Sequence, residues 1–329
     1  MDTVALGQEP IQPWRRGREF PDRFGYDAHF LGISLPLPQL DAMIKGLAAP
    51  LLDDPSETEL KYTHFSVVQN KERATPFFSA VNIDGAQYNE VDRKGSFALD
   101  ARMAPEYQMG KAVYIGSGFD RGHLTRRKEA MWGRDAEQGS RDSLVFTNAA
   151  PQHPALNQKS WLDLENNILY GAVANQEKKT VFTGPVFRDD DPVLSSGGPT
   201  PARIPQAYWK VQVWNDETQG GLQAQAFVLS QKELLERPSF TSGWVPYEHM
   251  TPMQMQTYCI PMSQLEEMTN LHFGNIIDGF DRTEKDAKAI LAAGINLEPP
   301  SYRDKKPPIL PTTESESRGL PMVLAARQI

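Results

Sequence analysis

Between residues 60 and 230 the apolar positions fall into short runs punctuated by Gly, Pro and Asp, and their period changes from strand-like to helical and back. Tyr62, Phe65, Val67 and Val68 within Lys61 to Gln69 have strand composition, as does Phe77 to Ile83, and Asn70 to Thr75 between them reads as the turn of a hairpin. Lys111 to Phe119 is apolar and ends in Gly116-Ser117-Gly118, which predicts a strand running into the polar stretch Asp120-Arg121-Gly122-His123. Leu144 to Thr147 predicts a short buried strand, and Ala149 to Leu156, with Pro151 and Pro154, predicts a loop. Trp161, Leu164, Ile168 and Ala172 then fall at i, i+3, i+7 and i+11, the apolar stripe of a helix whose amino-terminal end holds Asn157. Thr180 to Phe187, Ala207 to Trp214 and Leu222 to Ser230 predict three further strands, separated by the loop 188–203 and the turn Asn215 to Gly221. Ser263-Gln264-Leu265-Glu266 reads as a capping box opening a helix to Thr269, and Asp286 to Ala293 as another helix.

The pattern predicts an α+β protein with a mixed, mainly antiparallel sheet core. Residues 1–57 are rich in Pro and Gly and are expected to form an amino-terminal arm whose apolar residues dock on the domain. No shift of composition divides residues 58–298, which are expected to form one domain. The prolines from Pro299 onward mark residues 299–329 as a tail that supplies little core.

Composition narrows the classes. The 329 residues are enough for a large core, and no apolar run approaches the ~20 residues of a membrane span. Met1 to Glu19 contains no apolar stretch of the kind that directs secretion, so cytoplasmic residence is expected, with release by another route left open. Cys259 is the only cysteine, which excludes an internal disulfide and a cysteine-rich zinc site. A net charge of −8 argues against a protein that coats nucleic acid with its whole surface. The charge is local, however: Arg121, Arg126, Arg127, Lys128, Arg134 and Arg141 stand against Asp120, Glu129, Asp135 and Glu137 in one stretch.

Candidate chemistry lies in the same stretch. His123 titrates near neutrality when unperturbed and suits a general base, although a satisfied structural histidine fits the residue equally well. Asn157 and Glu165 are eight positions apart, near one helix face but about 12 Å apart along the axis at ~1.5 Å per residue. Direct binding of one ion by both is therefore difficult, whereas Mg²⁺ keeps several waters and accepts Asn157 directly with Glu165 holding a bound water. From spacing alone Asn157 is equally a helix cap. Arg121 and Arg73 have the planar fork that pairs with phosphate, or with a carboxylate, and Asp120 beside Arg121 reads as a brace. His29, His64, His153, His249 and His272 lack the spacing of a multi-histidine metal site.

Asp120-Arg121-Gly122-His123, Thr147-Asn148-Ala149-Ala150-Pro151-Gln152 and Leu156-Asn157-Gln158 through Trp161 to Leu164-Glu165 resemble, in order and spacing, the DNA/RNA non-specific endonucleases of the ββα-metal (His-Me finger) group. Phe182-Thr183-Gly184-Pro185-Val186-Phe187, Ala207-Tyr208-Trp209-Lys210 and Tyr258-Cys259-Ile260-Pro261 resemble later family segments, so the likeness covers roughly residues 60–280. It implies a ββα-metal motif at the sheet edge and magnesium-dependent hydrolysis of phosphodiesters in DNA and RNA, with Mn²⁺ as a substitute. His123 then resembles the general base, Asn157 the direct metal ligand and Glu165 the water-mediated one, with Arg121 beside the reacting phosphate. Arg73, Arg126 and Arg127 are expected to bind substrate, and Asp120, Gly122 and Asn148 to shape the site. One departure stands out: family members tend to carry an arginine four residues after the glutamate, where this chain has Leu169. A homodimer and a restraining inhibitor or regulatory protein are the partners expected besides DNA and RNA. The rival readings are a catalytically silent nucleic-acid-binding module and a phosphodiesterase for a small or lipid substrate, and cleavage of plasmid and RNA with magnesium or chelator separates the three.

Overall fold

The computed structural model of the chain describes residues 23–194, 202–232, 235 and 259–274. In chain order the elements are β1 (Gln39–Leu40), α1 (Ala42–Lys45), β2 (Glu59–Lys61), β3 (Phe65–Asn70), β4 (Thr75–Asp84), α2 (Lys111–Tyr114), β5 (Asp120–His123), α3 (Ala136–Asp142), β6 (Ala149–Gln152), α4 (Trp161–Asn175), β7 (Lys178–Val186), β8 (Val193–Leu194), β9 (Ala202–Arg203), β10 (Ala207–Asp216), β11 (Gly221–Ser230), β12 (Cys259–Ile260), α5 (Met262–Thr269) and β13 (Leu271–His272). The tail 299–329, the helix expected over Asp286 to Ala293 and the first 22 residues of the arm lie outside the described residues.

Seven strands form one sheet in the order β12-β11-β10-β7-β4-β3-β2, every neighbour antiparallel. Side chains alternate across it with period two. Val81, Ile83, Val181, Tyr208, Phe227 and Leu229 point to one face, where they meet Trp161, Leu164, Ile168, Leu169 and Ala172 of α4. Phe78, Ala80, Phe182, Trp209, Val211 and Val213 point to the other, covered by Tyr26, Leu31 and Leu35 of the amino-terminal segment and by Met262 and Leu265 of α5. Burial on both faces explains why the central strands read as apolar runs rather than as an alternation. At the carboxyl end of α4 the backbone lies so close to Gly85 that a Cβ there would fall 2.1 Å from the Ala172 carbonyl oxygen. A side chain at residue 85 would push the helix off the sheet. Among the described residues no helix is long and apolar enough to cross a membrane.

Several local expectations are corrected. Lys111 to Phe119 is not a strand: α2 makes one helical turn that buries Val113 and Tyr114, and Gly116 and Gly118, at φ +68° and +79°, turn the chain into β5. Leu144 to Thr147 pairs only through a single bridge between Val145 and Ala98, and Phe146 to Asn148 is a 3-10 turn. The strand comes one step later, in the segment expected as a loop, because β6 pairs only with β5 and an edge tolerates the missing N–H of Pro151. The Ser263 to Glu266 capping box does not form: Pro261 precedes α5, and the Glu266 carboxylate instead accepts from the Phe273 backbone N–H at 2.6 Å.

Candidate active site

β5 and β6 form a two-stranded antiparallel ribbon that pairs Asp120 with Gln152, Gly122 with Ala150 and His123 with Ala149. Tyr208 Oη of β10 donates to the Pro151 carbonyl at 2.6 Å, and Gln231 Nε2 to the same oxygen at 3.2 Å, so the ribbon is tied to the large sheet. Gly122 has a steric reason: a Cβ there would lie 2.0 Å from Gln152 Oε1, inside a carboxamide that is wholly buried. Asn148, also buried, clamps the chain just after His123: its Nδ2 donates to the carbonyls of Thr125 (2.8 Å) and Ser143 (3.1 Å), and its Oδ1 accepts from Thr125 N–H (2.9 Å).

After β6 the backbone makes a π-helical turn over Leu156–Ser160 and then continues as α4. Asn157, expected in the first turn of an α-helix, sits in this wider turn, a feature frequent at functional sites. Its Nδ2 donates to Asp120 Oδ2 at 2.9 Å, and Gln158 Nε2 donates to the same oxygen at 2.8 Å. A carboxylate can only accept, so Asp120 fixes the amide orientation and leaves the Asn157 carbonyl oxygen as the group free to bind a cation. The helix-cap alternative does not describe this side chain.

His123, Asn157 and Glu165 share one cleft of about 300 Å³, lined as well by Arg126, Arg127, Lys128, Gln158 and Leu162. The imidazole packs 4.9 Å from the Phe97 ring, and its Nε2 is buried without a hydrogen-bond partner. Burial, reinforced by the positive charges of Arg93, Arg127, Arg126 and Arg121, lowers its pKa from 6.5 to about 3 and keeps it neutral. Burial raises the Glu165 carboxyl to about 7, with Lys210 and Arg126 opposing the shift and the Glu129 carboxylate adding to it. Arg126 Nε lies 3.7 Å from Glu165 Oε2, and Arg126 Nη1 is buried with no partner. Arg127 Nη1 donates to the Val91 carbonyl and to Ser140 Oγ, both at 3.0 Å, while Lys128 pairs with Glu90.

Two of the expected arginines are elsewhere. Arg121 is exposed, does not line the cleft, and rests its guanidinium 5.2 Å from the centre of the Phe97 ring. Arg73, expected among the substrate-binding arginines, lines a second cleft of about 230 Å³, paired with Asp191 and stacked over Phe187. The hairpin turn that carries it opens toward the loop after β7, which supplies both partners. Leu169 does not border the cleft either: it is wholly buried in the core between α4 and the sheet.

Sequence reasoning missed Phe97 beneath His123, Lys128 and Gln158 in the cleft, and Lys210 with Glu129 behind Glu165. Lys128 belonged to the basic run Arg126 to Lys128, Gln158 to the Leu156-Asn157-Gln158 motif, and Lys210 stood out as the one cation in the strand Ala207 to Trp214. Among the described residues no group of three His, Cys, Asp or Glu side chains is placed to hold a metal. The residues at hand nevertheless fit a hard cation that keeps most of its waters: an oriented carboxamide oxygen, a carboxylate and an unpartnered neutral imidazole beside them.

A two-stranded ribbon followed by a helix, with a histidine on the ribbon and an asparagine and a glutamate from the helical segment in one basic cleft, is the ββα-metal arrangement. Residues 48–279 match the profile of the DNA/RNA non-specific endonucleases, and the chain belongs to that family. It is 33% identical over 285 residues to an uncharacterized protein of Sinorhizobium fredii, covering 82% of this chain and 42% of the relative. It is 27% identical over 187 residues to mitochondrial endonuclease G of Bos taurus, covering 54% and 55% of the two chains. The chain thus spans about half or less of the length of these relatives. The fold matches that of the crystal structure of the EndoG/EndoGI complex with a TM-score of 0.53 at 18% identity, over 66% of this chain and 85% of the other.

Proposed function

We propose that the protein is a magnesium-dependent, sugar-non-specific endonuclease that hydrolyses phosphodiester bonds in DNA and RNA. The observation that carries the reading is the neutral imidazole of His123 lining one cleft with the oriented carboxamide of Asn157 and with Glu165. Asn157 would hold the divalent cation directly and Glu165 one of its waters. When bound, Mg²⁺, or Mn²⁺ in its place, supplies Lewis-acid neutralisation of charge on the scissile phosphate and the departing oxygen.

The protein's own residues do the rest. His123 accepts the proton of the attacking water on its imidazole, and the negative phosphate, set against the surrounding arginines, raises the proton affinity of the ring as substrate binds. Arg126, with a buried guanidinium nitrogen lacking any partner, and Arg127 bind the phosphate oxygens. Asp120 orients Asn157, and Asn148 and Gly122 keep the ribbon closed under His123. Arg121 acts from outside the cleft, through Phe97 and through its charge. The structural relative was captured with EndoGI in a complex described as the mechanism of EndoG inhibition, and an inhibitor protein is proposed as a partner here too.

The test is incubation of the purified protein with supercoiled plasmid and with single-stranded RNA, in magnesium and in chelator. Cutting of both polymers in magnesium alone is expected. Binding without cutting would favour a silent module, and cutting of neither polymer alongside hydrolysis of a small diester would favour the third reading.

A further inference from the structure

Lys210 is a lysine with no exposed surface in the middle of the seven-stranded sheet. Burying an ammonium is costly unless it is paired and hydrogen-bonded, and its partners lie behind the cleft or, in Glu165, at its wall. Nζ donates to Thr183 Oγ1 at 2.8 Å and lies 3.5 Å from Glu129 Oε1 and 4.0 Å from Glu165 Oε1. The other oxygen of Glu129 accepts the backbone N–H of Arg126 at 2.9 Å, and the Arg126 guanidinium approaches the other oxygen of Glu165 at 3.7 Å. The four residues therefore close a ring, Lys210 to Glu165 to Arg126 to Glu129 and back, with two positive and two negative members. Glu165 and Arg126 line the cleft, whereas Lys210 and Glu129 do not.

We propose that Lys210, acting with Glu129, is a positioning residue for Glu165: the ring presents the Glu165 carboxylate to the cleft in the setting needed to hold a cation-bound water, and ties that setting to the placement of Arg126. The inference rests on the role given above to Glu165. Its physical basis is that a helix-borne carboxylate flanked at each oxygen by a cation, with Glu129 joining Lys210 Nζ to the backbone N–H of Arg126, has little freedom to swing away. Partners that orient a metal's ligands typically govern affinity and turnover by 10- to 100-fold. Lys210 cannot reach a nucleic acid, so its influence on substrate affinity is indirect and small.

Removing the lysine alone would leave two carboxylates facing each other in the interior, so the primary variant is the charge-balanced pair Lys210→Met with Glu129→Gln. Mn²⁺ binding to the protein without nucleic acid, followed by calorimetry, is measured beside kcat, KM and the affinity for an oligonucleotide in chelator. The expected result is a folded protein with Mn²⁺ affinity and kcat each lowered about 10- to 100-fold, and with oligonucleotide affinity within about twofold of the parent. A folded double variant with parental Mn²⁺ affinity and kcat overturns the proposal, because a merely structural pair is replaced without loss once the charge is balanced. Should the double variant fail to fold, Thr183→Val removes only the 2.8 Å bond to Nζ. It should weaken Mn²⁺ binding about threefold, the scale of one hydrogen bond, and unchanged binding in that variant overturns the proposal equally. Metal-dependent cleavage by the parent protein separates the two levels: its absence removes the nuclease reading itself, whereas its presence with unaffected variants removes only the role of the ring.

Discussion

Replacing His123 by Ala tests the base and its environment together. The imidazole is neutral in the folded protein down to about pH 3, whereas in the unfolded chain it takes up a proton near pH 6.5. A histidine whose folded pKa is depressed contributes a penalty that is absent above pH 6.5 and grows as the pH falls toward the folded value. At pH 4 the unfolded state is favoured by 2.5 pH units of protonation, and at ~1.4 kcal/mol per unit this costs the folded protein about 3 kcal/mol. His123→Ala cannot pay this penalty, and Glu165 titrates in both proteins, so its share cancels in the comparison. Urea denaturation of both proteins at pH 7 and pH 4 should therefore show the parent losing about 3 kcal/mol more than the variant on acidification. The loss of packing against Phe97 is common to both pH values and drops out of the difference. Cleavage by the variant should fall 10²- to 10⁴-fold, about 3 to 5 kcal/mol of barrier, with oligonucleotide binding preserved. Equal acid sensitivity of the two proteins would show that the imidazole is not held neutral by burial and arginines, and near-parental cleavage would remove it as the base.

Asn157→Ala should keep its fold and bind oligonucleotide normally but need a much higher magnesium concentration for residual cleavage, and an unchanged magnesium titration would rule out Asn157 as a direct ligand. Glu165 must be ionised to hold a cation-bound water, so kcat/KM should fall below about pH 7 at low magnesium and the limb should move to lower pH as magnesium rises; a limb indifferent to magnesium contradicts that role. Leu169→Arg, which the family pattern would suggest as a gain, places a guanidinium in the wholly buried core between α4 and the sheet and should cost more than about 4 kcal/mol, read as loss of the cooperative thermal transition. A folded, faster Leu169→Arg enzyme would mean that α4 can turn to present residue 169 to the cleft.

The helix that carries Glu165 was legible because its apolar stripe is local: Trp161, Leu164, Ile168 and Ala172 are all buried, and nothing outside the segment is needed to see the period. The strands β3, β4, β7, β10 and β11 were legible for a related reason, since burial on both faces makes each one a largely apolar run. His123, Asn157 and Glu165 were found by residue type, order and spacing, and they do share a cleft. The turn around Asn157 was not legible, because whether a turn closes as α or π depends on the ribbon before it and the core under it.

Chemical type and local period were determined by the sequence alone: which side chains are able to take a proton, bind a cation or grip a phosphate, and which of the long apolar stretches would be helix or strand. Partnership was decided only by the tertiary structure. Asp120 meets Asn157 across 37 positions, and Glu129 meets Lys210 across 81, contacts made by strand pairing and by the seating of α4 on the sheet rather than by any local rule. The same packing sent Arg73 to Asp191 and closed Leu169 into the core, because a side chain's neighbours in a two-sided sheet follow from register and face, and both are set by contacts distant along the chain.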